Sequence, residues 1–103
     1  MRMQAEWGSG NPPLEGPLRV DILAFVGRPK GHYGSGRNSG KLRPSAPKYP
    51  DVKPDIDNIF KFIGDTCEGI CWKNDKQIIG GEQWKAYADD GPPRVEIWIE
   101  ALE

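Results

Sequence analysis

The stretch from Gly27 to Pro54 has no hydrophobic period and is scattered with glycine, proline and serine. Neither a helix nor a core-facing strand suits it, since each needs apolar residues that return at a fixed step. Regular structure is therefore confined to what precedes and follows, and the stretch itself reads as one long loop. In compact domains such loops are either functional or disordered, and composition alone leaves both open.

Upstream, Gly8-Ser9-Gly10-Asn11-Pro12-Pro13 and Glu15-Gly16-Pro17 forbid regular structure over 1–17, apart from whatever short element Met1 to Trp7 forms. Leu18 to Val26 then alternates. Leu18, Val20, Ile22, Ala24 and Val26 face one way, with Arg19, Asp21, Leu23 and Phe25 opposite, which is the pattern of a strand.

Downstream of the loop, Ile56, Ile59, Phe60, Ile63, Cys67 and Ile70 recur at three- and four-residue steps, the apolar stripe of a helix lying on a core. Asp57 or Asn58 is a suitable N-cap and Gly69 a suitable stop. A short strand is expected around Ile70 to Trp72, then a turn at Lys73-Asn74-Asp75-Lys76. A second hairpin strand follows over Gln77 to Tyr87, weakened by Gly80-Gly81. After a turn at Asp89-Asp90-Gly91-Pro92-Pro93, Arg94 to Glu100 forms a last strand with Val95, Ile97 and Ile99 buried and Glu96, Trp98 and Glu100 opposite. The fold class is α+β, a small mixed sheet with a helix packed on one face. At 103 residues there is material for one domain: an irregular start at 1–17, the loop at 27–54 and a core at 55–103.

The net charge of −1 conceals a segregation. Arg28, Lys30, Arg37, Lys41, Arg43, Lys48 and Lys53, with His32, lie between Gly27 and Pro54 against the single acid Asp51, whereas acids outnumber bases from Asp55 onward. A basic arm beside an acidic patch suits a protein that attracts a polyanion and also holds a divalent cation. No apolar run reaches membrane-spanning length and the start lacks the pattern of a secretion signal, so a cytoplasmic protein is expected. Cys67 and Cys71 are spaced C-x₃-C beside a single histidine, His32, which completes no tetrahedral zinc set; free, partly buried thiols are expected.

Asp55 and Asp57 stand two residues apart where an extended segment turns into the helix, so both carboxylates project to one side. The helix N-terminus favours their ionised form. Lys61 lies one turn beyond Asp57 on the same polar face, and Asp65 continues it. An isolated D-x-D at such a place is commonly a cap. Here Lys61, a third carboxylate from Asp75 and the basic loop favour a site for Mg²⁺ or Mn²⁺, with oxygen ligands and positions left for water and phosphate.

The run Lys53-Pro54-Asp55-Ile56-Asp57-Asn58-Ile59-Phe60-Lys61, then Asp65, then Gly69 through Ile78, and finally Lys85, resembles the RusA family of Holliday-junction resolvases. That family shows a basic residue, P-D-x-D-N, a lysine four residues on, a D-A-L-like helix end, a D-D-x-Q-[IV] turn, and a lysine ten residues beyond. The likeness is close over the C-terminal half; the Arg28 to Pro54 stretch looks like the basic loop of phage-type members more loosely. The resemblance implies a homodimer in a bacterial or phage-infected cytoplasm. It would bind four-way DNA junctions, with no membrane and no small-molecule substrate, and cut two opposed strands with Mg²⁺. Asp55, Asp57 and Asp75 would be catalytic metal-binding acids and Lys61 the cation beside them. The loop bases Arg28, Lys30, Arg37, Lys41, Arg43, Lys48 and Lys53, together with Lys85, would meet DNA; Gln77 and Lys85 are candidates for phosphate contact or site support. Tyr33, Tyr49 and Trp72 are candidates for base stacking or burial, and Trp98 for the dimer contact. Asn74 replaces the first acid of the D-D turn and keeps an oxygen. Family members carry a further strand or hairpin and a helix ahead of the Leu18 strand, where this chain has seventeen residues. The alternative is therefore a truncated junction-binding protein of weak catalysis.

Overall fold

A computed structural model describes residues 12–103; the element expected at Met1 to Trp7 lies outside the described residues. The alternating segment is strand β1 (Leu18–Val26). The amphipathic segment is helix α1 (Ile56–Cys67), followed by β2 (Ile78–Gly80), β3 (Gln83–Tyr87) and β4 (Arg94–Ala101). The architecture is α+β, as the patterning requires.

Each of the other described strands pairs with β1. Strand β4 runs antiparallel along it, from Leu18 opposite Ala101 to Phe25 opposite Arg94. Strands β2 and β3 are both parallel to it, with Leu18 opposite Ile78 and Ile22 through Val26 opposite Gln83 through Tyr87. A strand has two edges and β4 fills one, so β2 and β3 follow one another along the other. The expected hairpin over Gln77 to Tyr87 is thus corrected to an interrupted strand parallel to β1, reached by way of α1. The register shifts within β2, where Leu18 faces Ile78 but Arg19 faces Gly80, and just beyond it Gly81 adopts φ +140° and passes directly against the Val20 carbonyl. Only glycine allows such an approach.

The inward side chains Leu18, Val20 and Ile22 of β1 meet Ile97 and Ile99 of β4, and α1 closes this face with Ile63 and Cys67. Ile56 and Ile70, at the ends of the anticipated stripe, are exposed. The short strand expected at Ile70 to Trp72 does not form. The chain turns there instead: Ile70 N–H and Cys71 N–H both donate to the Cys67 carbonyl, and Gly69 N–H donates to that of Trp72. This turn drives Trp72 into the core, where it is 0% exposed. Three successive apolar residues fit a strand or a buried turn equally, and the carbonyls left open at the end of α1 decide for the turn.

The loop from Gly27 to Pro54 contains two short 3₁₀ turns, Lys30–His32 and Gly36–Asn38, and isolated bridges pairing Tyr33 with Leu42 and Gly34 with Ser39. It is a folded appendage with no core of its own. Among the described residues no helix is long and apolar enough to cross a membrane.

Candidate metal and nucleic-acid site

Asp55 is the N-cap residue of α1, with extended backbone at φ −71° and ψ 151°, and its carboxylate makes no capping hydrogen bond. The cap expected of Asp57 or Asn58 is corrected accordingly; Asp57 lies in the first turn. Both aspartates and Lys61 are exposed. Among the described residues their side-chain carboxylates and ammonium have neither hydrogen-bond nor ion-pair partners. Two exposed carboxylates at a helix N-terminus sit in the positive end of the helix field.

Asp75 is held differently. Asn74 caps the 3₁₀ turn Asp75–Gln77 by accepting from Lys76 N–H, and Gln77 Oε1 accepts in return from Asn74 N–H at 2.8 Å. The Gln77 amide also donates to the Leu14 and Gly16 carbonyls at 2.9 and 3.0 Å, tying this turn to the segment leading into β1. Trp72 Nε1 donates to Asp75 Oδ1 at 2.7 Å from inside the core, and Asp75 N–H donates to Glu68 Oε2 at 2.8 Å. The carboxylate lies against α1 at Gly64, where a side-chain carbon would stand 3.0 Å from Oδ2. Gly64 is the gap in the helix surface that admits Asp75. Replacing Trp72 with Phe removes the indole donor while retaining most of the packing. Chemical denaturation should report a loss of about 2 kcal/mol, and an unchanged midpoint would show the bond to be without weight.

Asp57, Lys61, Gly64 and Glu68 follow at steps of four, three and four, so they share one face of α1. Asp75 packs on that face at Gly64, and Lys61 lies between it and Asp57. The seven residues from Asp57 to Gly64 correspond to a rise of about 10 Å. Asp57 and Asp75 therefore share one stripe, with Asp55 at its head as the N-cap, but the three are not drawn into a single cage: among the described residues no group of three His, Cys, Asp or Glu side chains is disposed to hold a metal. In kind the donors suit a hard cation, and Asp55 with Asp57 form the adjacent, uncommitted pair. Glu68 and Gly64 were not anticipated as parts of the site, although their helical spacing from Lys61 was open to reading. Beneath this face burial, the Cys71 side chain and the Asp75 charge push the Cys67 thiol up to about 12; both cysteines are free and buried. A thiol so disposed is protonated near neutrality and is a poor metal ligand.

Of the bases expected at DNA, Lys30, Arg37, Lys41, Arg43, Lys48 and Lys53 are exposed. Arg43 Nε donates to the Tyr33 carbonyl at 2.9 Å, which fixes the direction of its fork. Lys30, Tyr33, Ser35, Ser39 and Arg43 line an open hollow of about 600 Å³. Tyr49 is exposed, whereas Trp72 is too deeply buried to stack on a base.

Arg28 is not disposed to meet phosphate, because its side chain is only 4% exposed. Its guanidinium forms a bidentate pair with Asp89 at 2.6 and 3.1 Å, donates to the Pro47 carbonyl at 2.7 Å and lies 4.0 Å from the Tyr87 ring centroid. The pairing holds the Asp89 carboxyl below the ordinary range. Arg28 thus fastens the base of the loop to the end of β3. Lys85 is likewise turned inward, its ammonium donating to the carbonyls of Val52 and Pro54.

Among the described residues nothing covers the side of the sheet away from α1. That side presents Leu23, Phe25 and Trp84, of which Leu23 and Trp84 line, with Arg19, Asp21, Glu82 and Trp98, a groove of about 600 Å³. Arg94 stacks on Phe25 at 3.8 Å and pairs with Glu96 at 2.9 Å on this same side.

Comparison with known proteins adds two findings. A family model described as "Endodeoxyribonuclease RusA" matches residues 1–100. The chain is 33% identical over 92 residues to "Uncharacterized protein YqaN" of Bacillus subtilis (strain 168). That match takes in 86% of this chain and 61% of the relative, so the chain spans about three fifths of the length of the curated protein it resembles. No solved structure matches.

Proposed function

Since the chain belongs to the RusA endodeoxyribonuclease family, we propose that it is a divalent-metal-dependent endonuclease that resolves four-way DNA junctions by hydrolysing phosphodiester bonds. The observation that carries this reading is the uncommitted trio at the start of α1, Asp55, Asp57 and Lys61, placed next to a strongly basic loop. Asp55 and Asp57 would hold the cation, with Asp75 as a third acid on the same helix face. Bound there, Mg²⁺ or Mn²⁺ supplies Lewis-acid polarisation of the scissile phosphate and a more acidic water.

The chain's own groups do the rest. Water must attack phosphorus in line with the departing oxygen, so negative charge grows on the non-bridging oxygens, and the Lys61 ammonium is suited to offset it. Lys30, Arg37, Lys41, Arg43, Lys48 and Lys53 neutralise flanking phosphates. Such contacts give salt-dependent affinity and recognise the branch by its shape rather than its sequence.

A homodimer places two such sites on opposed strands. The side of the sheet that the described residues leave uncovered is the surface for the second copy, because Asp21, Glu82, Glu96 and Glu100 outnumber Arg19 and Arg94 there and would repel DNA. Trp84, 62% exposed on strand β3, is the anchor. Trp84→Lys should convert a dimer into a monomer by light scattering with the thermal transition retained; a dimer that survives the change removes this surface from consideration.

The experiment for the activity is incubation of a synthetic four-way junction with the protein and Mg²⁺. Symmetrically paired nicks support the reading, and intact strands beside a retarded complex oppose it. A second reading, junction binding without cutting, is favoured by the separation of Asp75 from Asp57 along α1. It predicts little or no rise in melting temperature on adding Mg²⁺, since a ligand held by the native state alone must stabilise it.

A further inference from the structure

We propose that Lys85 is a positioning residue: from the middle of β3 it clamps the Val52–Pro54 segment and thereby sets where Asp55 and Asp57 stand. This rests on the endonuclease reading and concerns how that site is held. Lys85 pairs with Ala24 in the register of β3 on β1, so its Cα is fixed by the sheet. Its side chain is half-buried, and its ammonium donates to the carbonyl of Val52 and, at 3.0 Å, to that of Pro54, the residue immediately before Asp55.

Among the described residues no other hydrogen bond from outside the loop reaches Val52, Lys53 or Pro54. The segment is exposed and lacks regular structure. Without the clamp only the first turn of α1 would define the position of Asp55, and the ends of helices fray. A charge on the donor makes both bonds stronger than neutral ones. Two residues farther along β3, Tyr87 supports the Arg28 pair with Asp89 at the other end of the same loop. Strand β3 thus holds the loop at both ends, and Lys85 governs the end that delivers the acids.

A lysine in phosphate contact and a lysine holding backbone differ in what their removal does to salt dependence. Lys85→Met keeps the aliphatic stem and deletes all three donors; Lys85→Arg keeps donors on a longer stem. In Lys85→Met the proposal expects backbone order parameters from ¹⁵N relaxation at Val52, Lys53 and Asp55 to fall from roughly 0.85 toward 0.6. Junction kcat should fall roughly tenfold or more with KM unchanged, since misplaced reacting groups cost rate rather than binding. The slope of log affinity against log salt should stay as in the parent, and Lys85→Arg should recover most of the loss. A slope reduced by about one with unaltered order parameters assigns Lys85 to a phosphate and overturns the proposal. Parent protein that binds junctions without cutting them would refute the activity, while the order parameters and the salt slope would still decide the role of Lys85.

Discussion

Asp57→Asn is expected to lower cleavage of a four-way junction in Mg²⁺ by at least about 100-fold while junction affinity is kept or increased. Asparagine preserves the shape of the side chain and one oxygen, so the first turn of α1 should be undisturbed: Asp57 neither caps the helix nor pairs with another group. What is lost is a charge, and a hard divalent cation depends on ligand charge. Binding moves the other way, because an exposed carboxylate beside a phosphate costs Coulomb energy that its amide does not. Single-turnover cleavage in Mg²⁺ and gel retardation in Ca²⁺ separate the two effects. An Asn variant that cuts within about threefold of the parent would remove Asp57 from the chemistry and leave the acids of α1 as surface charge.

The parts of this molecule that can be read from sequence are those whose partners are periodic neighbours. Strand β1 and helix α1 were legible because Leu18, Val20 and Ile22, and then Ile59, Ile63 and Cys67, repeat at the steps that their elements demand. The parallel pairing of β3 with β1 was not, since it depends on a crossover of some sixty residues whose outcome no local pattern encodes; Ile22 meets Gln83 through tertiary packing alone. Charge counting failed for a related reason. Arg28 and Lys85 count as cations of a DNA face, yet the partners that take them out of it lie far along the chain at Asp89 and at the Val52 and Pro54 carbonyls. The site divides along the same line. Asp55, Asp57 and Lys61 follow from spacing within one helix start, whereas the place of Asp75 depends on the turn that buries Trp72 and on the gap at Gly64.

Gly81→Ala is expected to be the most damaging single change to the fold, at a cost on the order of 3–4 kcal/mol. The added carbon would stand 1.9 Å from the Val20 carbonyl oxygen and 2.6 Å from its carbon. Both belong to the central strand, with β4 paired along its other edge, so neither can move without unpairing a ladder. A φ of +140° adds strain of its own for any residue with a side chain. The consequence reaches the site through register. Leu18 faces Ile78 but Arg19 faces Gly80, a one-residue slip that persists to Ile22 opposite Gln83. Without that slip Ala24 would face Trp84 in place of Lys85, and every side chain of β3 would change sides. Lys85 would leave the loop that precedes Asp55, Tyr87 would leave Arg28, and Trp84 would be forced into the core. The bulge at Ile79 therefore decides which face of β3 grips the loop and which remains open, and Gly81, two residues on, is where the slipped strand passes the Val20 carbonyl. For a domain of this size the stated cost corresponds to a melting temperature lower by roughly 12–30 °C, measurable by circular dichroism. A variant melting within a few degrees of the parent would mean that β1 and β3 tolerate another register, and with it another set of contacts for Lys85.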